Sequence, residues 1–86
     1  MKSATTRTFR EQLAALPEQV RRQAQKQFRL WRENPQHPSL RFKKVGEYWS
    51  VRINDDYRAV ARLHGDTCYW FMIRPHKDYD RFLRSP

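Results

Sequence analysis

Glycine and cysteine are scarce in this chain, and acidic residues are outnumbered. Two glycines in 86 residues, Gly46 and Gly65, exclude a flexible low-complexity polypeptide. The single cysteine, Cys68, excludes an intramolecular disulfide. It lies in an apolar run and reads as a small core residue. No run approaches the ~18 apolar residues of a membrane span, so no membrane partner is expected. The first residues, MKSATTRTFREQ, lack the apolar stretch of a secretory signal, and a cytoplasmic location is expected. His37, His64 and His76 are dispersed, and no Cys/His pair has metal-ligand spacing. There is no glycine-rich phosphate loop and no marked serine nucleophile. No metal and no small-molecule cofactor are expected. Any catalysis then rests on proton transfer and electrostatic stabilisation by Arg, Lys, His and Tyr.

What the chain does have is positive charge and aromatic rings. Eighteen Lys and Arg stand against nine Asp and Glu, a formal net charge of +9, which attracts nucleic acid or an acidic protein. A single domain over 1–86 is expected, burying roughly 60–65% of its unfolded surface. Three Trp, four Tyr and five Phe supply much of its core.

Apolar residues first recur at helical spacing. Thr8 to Glu11 has the pattern of a capping box, and Phe9, Leu13 and Leu16 continue a helix that should stop before Pro17. Pro17 suits the first position of a second helix. Its apolar stripe is Val20, Ala24, Phe28 and Trp31, and Asn34-Pro35 ends it. These two elements predict a helical hairpin.

From Pro38 the period changes to two. Leu40–Val45 resembles an edge strand, Gly46-Glu47 a tight turn, and 48–53 and 57–63 two further strands. After a turn at His64-Gly65-Asp66, Cys68–Ile73 is apolar on both faces, as in a strand covered on both sides. Residues 77–83 suit a short terminal helix.

The register of the middle hairpin follows from its pattern. Trp49, Val51 and Ile53 must share the core face with Tyr57, Ala59 and Ala61. Pairing 53 with 57, 51 with 59 and 49 with 61 achieves this and leaves Asn54-Asp55-Asp56 as the loop. Arg52 then faces Arg58, and Tyr48 faces Arg62, on the other side of the sheet. Like charges directly opposite destabilise a sheet. Either both arginines reach into water or to neighbouring acids, or they form a clamp for a phosphate, for which the arginine fork is well shaped.

The segment Arg74-Pro75-His76-Lys77-Asp78-Tyr79 is the second place of interest. His76 exchanges protons near neutral pH. Lys77 and Tyr79 are suited to binding or donating to a phosphate, or this is a polar turn with Tyr79 packed on the sheet. RNA cleavage by its own 2′-OH needs a base, an acid and cations around the charged phosphorane. Arg52 and Arg58 are candidates for the cations, with His76 the leading acid or base and Tyr79 and Lys77 behind it.

In the order of its motifs the chain resembles the RelE/ParE superfamily of toxins from bacterial type II toxin–antitoxin systems. The motifs are RENPQHPSLRFKKV, EYWSVRINDDYRAVARL with its Tyr57-Arg58 step, and CYWFMIRPHKDYDRFL with His76-x-x-Tyr79. The resemblance implies an α+β fold: an N-terminal helical hairpin packed on a twisted, mainly antiparallel four-stranded sheet, with a short C-terminal helix. It implies a cognate antitoxin as partner and, for the RelE branch, the ribosome and mRNA. It implies catalytic roles for Arg58, Arg52, His76 and Tyr79. Lys43, Lys44, Arg62 and Lys77 complete the candidate RNA- and phosphate-binding set. One departure is that a lysine of RelE-type enzymes corresponds to Ser50. The function so implied is a ribosome-dependent, metal-independent mRNA endoribonuclease neutralised by its antitoxin. The alternatives are a non-enzymatic ParE-type DNA gyrase inhibitor and a plain basic RNA-binding module.

Overall fold

The computed structural model describes residues 1–84. The elements run β1 (Lys2–Thr5), α1 (Arg7–Ala14), α2 (Glu18–Glu33), β2 (Lys43–Val45), β3 (Tyr48–Arg52), β4 (Tyr57–His64), β5 (Thr67–Pro75) and α3 (His76–Arg84). A 3-10 turn at Pro38–Leu40 precedes β2. The strands form one mixed sheet in the order β1-β5-β4-β3-β2, with β1 parallel to β5 and the other pairs antiparallel.

The sheet thus has five strands where the sequence predicts four. The additional strand is KSAT, small and polar, which carries no apolar alternation to betray it. It is held through its backbone: Lys2 N–H donates to Asp66 O at 2.8 Å, and Thr6 N–H to Trp70 O at 2.9 Å. The first helix consequently begins two residues earlier than the capping box predicts. Thr6 is the N-cap, and its Oγ1 accepts from the Phe9 N–H at 3.1 Å. Thr6→Ala is therefore expected to cost about 1 kcal/mol, whereas Thr8→Ala costs no more than a few tenths. Urea denaturation of the two variants checks this. Pro17 is the N-cap of α2 rather than its first residue, and Asn34 ends that helix as expected. The three residues between α1 and α2 make the predicted hairpin only approximate.

Both glycines sit where a side chain is strained. Gly46 (φ 61°) and Gly65 (φ 60°) open the two-residue turns between β2 and β3 and between β4 and β5. Such turns demand left-handed backbone, which glycine adopts at no steric cost.

One face of the sheet is covered by α1 and α2. Phe9, Ala24 and Trp31 meet Val51, Ala59, Ala61, Trp70 and Ile73 in the main core. The rings pack edge to face: Trp31 lies 5.4 Å from Trp70, and Phe28 lies 5.1 Å from Trp70. Neither the Trp31 nor the Trp70 indole N–H has a hydrogen-bond partner among the described residues. Edge-to-face attraction among these rings offsets part of that cost. Cys68 is buried, and burial pushes its thiol pKa up, which fits a packing role and not a nucleophilic one.

The opposite face is covered at one end by α3. Phe82 packs on Tyr48 (5.1 Å) and Phe71 (5.9 Å), and Val60 is fully buried on this side. Beyond β1, the outer edge of β5 is protected by two devices. Gln12 of α1 accepts from the Ile73 N–H at 2.9 Å, and Pro75 has no N–H to offer.

Candidate anion-binding and catalytic site

The predicted pairing of β3 with β4 is observed. Trp49 faces Ala61, Val51 faces Ala59, and Arg52 faces Arg58, with Ile53 N–H donating to Tyr57 O at 3.1 Å across the loop. A third arginine, not anticipated, extends the row. The pairing of β4 with β5 is interrupted between Val60 and Ala61, where β5 carries one extra residue, Phe71. Past that bulge Arg58 faces Arg74. Without it Arg58 would oppose Ile73, and Arg74 would turn toward the helices. A bulge commonly re-aims a side chain in this way. Arg52, Arg58 and Arg74 therefore stand side by side on three adjacent strands.

Their partners differ. Arg52 is paired with Asp55, and its guanidinium holds the exposed Asp55 carboxyl below the usual carboxylate range. Arg74 donates from Nε and Nη2 to Asp78 Oδ2, at 3.0 and 2.7 Å. Arg58 has no carboxylate partner among the described residues. Its Nη1 donates to the backbone oxygens of Asn54 and Tyr57, at 2.5 and 3.0 Å. A guanidinium has five N–H donors, so most of this one's capacity remains for another acceptor. Burial is the largest influence lowering the Arg58 pKa, and the Arg52 charge is next. The group stays charged, but in a place where a negative partner is wanted. Arg41 adds to the same positive field, lowering both Arg58 and Asp55. It occupies left-handed backbone (φ 44°) after the 3-10 turn, a conformation uncommon for a non-glycine residue.

His76 begins α3. Its backbone N–H donates to Asp56 O at 2.6 Å, which ties the helix start to the β3–β4 loop. Its Nδ1 lies 3.0 Å from Asp80 Oδ2. A carboxylate only accepts, so Nδ1 carries the proton and Nε2 is left to exchange one. Tyr79 is turned inward, 6% exposed, and its hydroxyl donates to Ser50 Oγ at 3.3 Å. Ser50, where the resemblance expects a lysine, is itself 3% exposed. The Tyr79 ring lies 5.9 Å from that of His76.

The remaining candidates do not all gather here. Lys43 pairs with Ser50 and shares the face of the arginine row, but Lys44 pairs with Trp49 and belongs to the opposite face. Lys77 is exposed in the first turn of α3. Arg62 lies four residues along β4 from Arg58, about 13 Å at strand spacing. It is stacked on Tyr48 (5.2 Å) and Phe71 (5.5 Å). Tyr48 is thereby covered by Arg62, Phe71 and Phe82 and offers no open stacking platform. The sequence reasoning missed Arg74 and Arg41. An even-sum pairing of β4 with β5 would have flagged Arg74, but β5 is apolar on both faces and so sets no register of its own.

No group of three or more His, Cys, Asp or Glu among the described residues is placed to hold a metal ion. No described helix is long and apolar enough to cross a membrane.

An antiparallel-rich sheet with two helices on one face and a third on the other is a fold shared with several solved structures. The YoeB/ParE toxin from Agrobacterium tumefaciens is 19% identical and superposes with a TM-score of 0.69, covering 88% of this chain and 99% of that one. The RelB–RelE antitoxin–toxin complex from Methanococcus jannaschii gives 22% identity and a TM-score of 0.71, covering 91% and 96%. YafQ from E. coli gives 8% identity and a TM-score of 0.72, again covering 91% and 96%. No curated protein sequence matches significantly. The sequence profile of the ParE-like toxin domain matches residues 18–81, most of the chain. The chain belongs to this family, within the RelE/ParE superfamily of toxin–antitoxin toxins that its motifs resemble.

Proposed function

We propose that the protein is a toxin that cleaves mRNA on the ribosome and is neutralised by a cognate antitoxin. The observation that carries this reading is Arg58, a partly buried guanidinium with no carboxylate partner, set between Arg52 and Arg74. An RNA phosphate supplies the missing negative charge, and the donors that meet it serve the phosphorane better still, because charge develops there. Arg52 exchanges the exposed Asp55 carboxylate for phosphate oxygens at small cost, since a pair with so exposed a partner is weak, while Arg74 turns its remaining donors to the phosphate beside the half-buried Asp78. His76, held by Asp80 with Nε2 outward, takes or gives the proton. Tyr79 stands behind His76 and anchors α3 through Ser50. Lys43 and Lys77 contribute salt-dependent phosphate contacts. The net charge of +9 suits both ribosomal RNA and an acidic antitoxin segment. A neighbouring structure is itself an antitoxin–toxin complex.

The experiment is primer extension on mRNA held in purified bacterial ribosomes. Cleavage within the A-site codon is expected. Intact mRNA with well-folded protein would overturn the reading.

A second reading has its own observation: Ser50 and Tyr79 are buried and bonded to each other, so two positions of a RelE-type site are occupied structurally. This favours a non-enzymatic inhibitor of a gyrase-like topoisomerase. DNA damage in intoxicated cells, with translation continuing and activity surviving His76→Ala, is its expected signature.

A further inference from the structure

Arg58 is held by the carbonyl of its neighbour Tyr57 and, at shorter distance, by one that belongs to a hairpin loop, and the loop is held by a helix far away in sequence. Asn54 is the joint. Its Oδ1 accepts from the Asp56 and Tyr57 N–H groups at 2.8 and 2.9 Å, and its main-chain oxygen accepts from Arg58. Two backbone donors fix which end of the amide is oxygen, so Nδ2 must point away from the loop. It points to α2, where Gln23 Oε1 accepts from it at 2.7 Å. One turn further along the same helix face, buried Gln27 donates through Nε2 to the Arg52 carbonyl at 2.9 Å and to the Ser39 carbonyl at 3.4 Å. Positions four apart on a helix lie one above the other. The two glutamines thus grip the end of β3 and the loop that follows it, 25 and 31 residues away.

We propose that Gln23 is a positioning residue for Arg58, acting through Asn54, and that Gln23 and Gln27 form a latch setting the arginine row for its anion. This rests on the reading of Arg58 as a phosphate-binding side chain. The chemistry of the latch is specific. Gln23 is used only as an acceptor, so a carboxylate replaces it and an ammonium does not. An isolated 54–56 loop would let the carbonyl under Arg58 wander, and a site of this kind tolerates only about 0.5 Å of looseness. Outer-shell partners of this sort typically control 10–100-fold in affinity or activity.

The test uses the full chain as wild type, Gln23→Ala, Gln23→Glu, Gln23→Lys and Arg58→Ala. One measurement is NMR of the Arg58 guanidinium, whose rotation about Nε–Cζ is slow when Nη1 is held. The other is affinity for a hexauridylate RNA. Backbone amide spectra confirm that each variant is folded. Gln23→Ala and Gln23→Lys are expected to lose the slow-rotation signature and to weaken RNA binding about tenfold. Gln23→Glu is expected to keep both. A purely structural glutamine would shift the melting temperature without this split between Glu and Lys. Retention of slow Arg58 rotation in Gln23→Ala would overturn the latch. So would loss of the signature with RNA affinity unchanged while Arg58→Ala weakens it. If the signature is lost and RNA affinity is indifferent to Gln23 and Arg58 alike, the geometric latch stands and the phosphate-binding reading of Arg58 falls.

Discussion

Arg58→Ala is expected to lower ribosome-dependent cleavage by about 10²–10³-fold, the usual loss when one preorganised donor to a developing oxyanion is removed. The same substitution is expected to leave thermal stability within about 1 kcal/mol of wild type. Two contributions oppose each other. The bonds to the Asn54 and Tyr57 carbonyls are lost, each worth about 1 kcal/mol. In return, the like-charge pairings with Arg52 and Arg74 disappear, each costing roughly 0.2–1 kcal/mol. Activity and stability should therefore separate, which is the mark of a group kept for binding and not for folding. Arg58→Lys retains the charge but loses the fork, and its activity should fall between the two. Single-turnover cleavage alongside thermal denaturation checks the pair. A folded Arg58→Ala protein that cleaves at the wild-type rate would falsify the assignment. A loss of activity that merely follows unfolding would make Arg58 structural.

Trp70→Ala is expected to have the largest effect on stability, about 3–5 kcal/mol. Trp70 is 1% exposed, stands on the central part of β5, and meets Phe28 at 5.1 Å and Trp31 at 5.4 Å. It also faces Ala61 on β4 and Thr5 on β1, so it joins the helices, the hairpin and the N-terminal strand. The small Ala59 and Ala61 leave the room that its ring fills. A domain of this size has only about 5–15 kcal/mol in total, and each kcal/mol is worth roughly 4–8 °C. The melting temperature should thus fall by about 12–40 °C. Trp70→Phe, which keeps an aromatic edge against Trp31, should lose less than half as much. Calorimetry decides it: a drop of under about 5 °C for Trp70→Ala would mean that the aromatic cluster is not the centre of the core.

The parts of the fold that were legible are those in which one sequence rule acts alone. The stripe Val20, Ala24, Phe28, Trp31 fixes α2 because only one face of that helix is apolar. The alternation of 49, 51, 53 against 57, 59, 61 fixes the middle hairpin, since a one-residue slip would bury arginines. From that register the facing of Arg52 and Arg58 follows without any structure. β1 was not legible, because Lys2 to Thr5 bury little and are held by the backbone of a strand more than 60 residues away. The cap moved from Thr8 to Thr6 for the same reason, as the chain must leave β1 before it can turn into α1.

The sequence by itself determined the charge, the two-layer pattern of helices and strands, the glycine turns and the confrontation of two arginines. Each depends on local periodicity or on composition. Only the tertiary structure decided which further residues join that pair. The bulge at Phe71 rotates Arg74 to the side of Arg58, and α3 folds Tyr79 inward onto Ser50. The β4 register leaves Arg62 stacked on aromatics at the far end, and α2 reaches across to fix Asn54. These outcomes depend on contacts between segments distant in the chain, where a single inserted residue reverses the direction of every side chain beyond it.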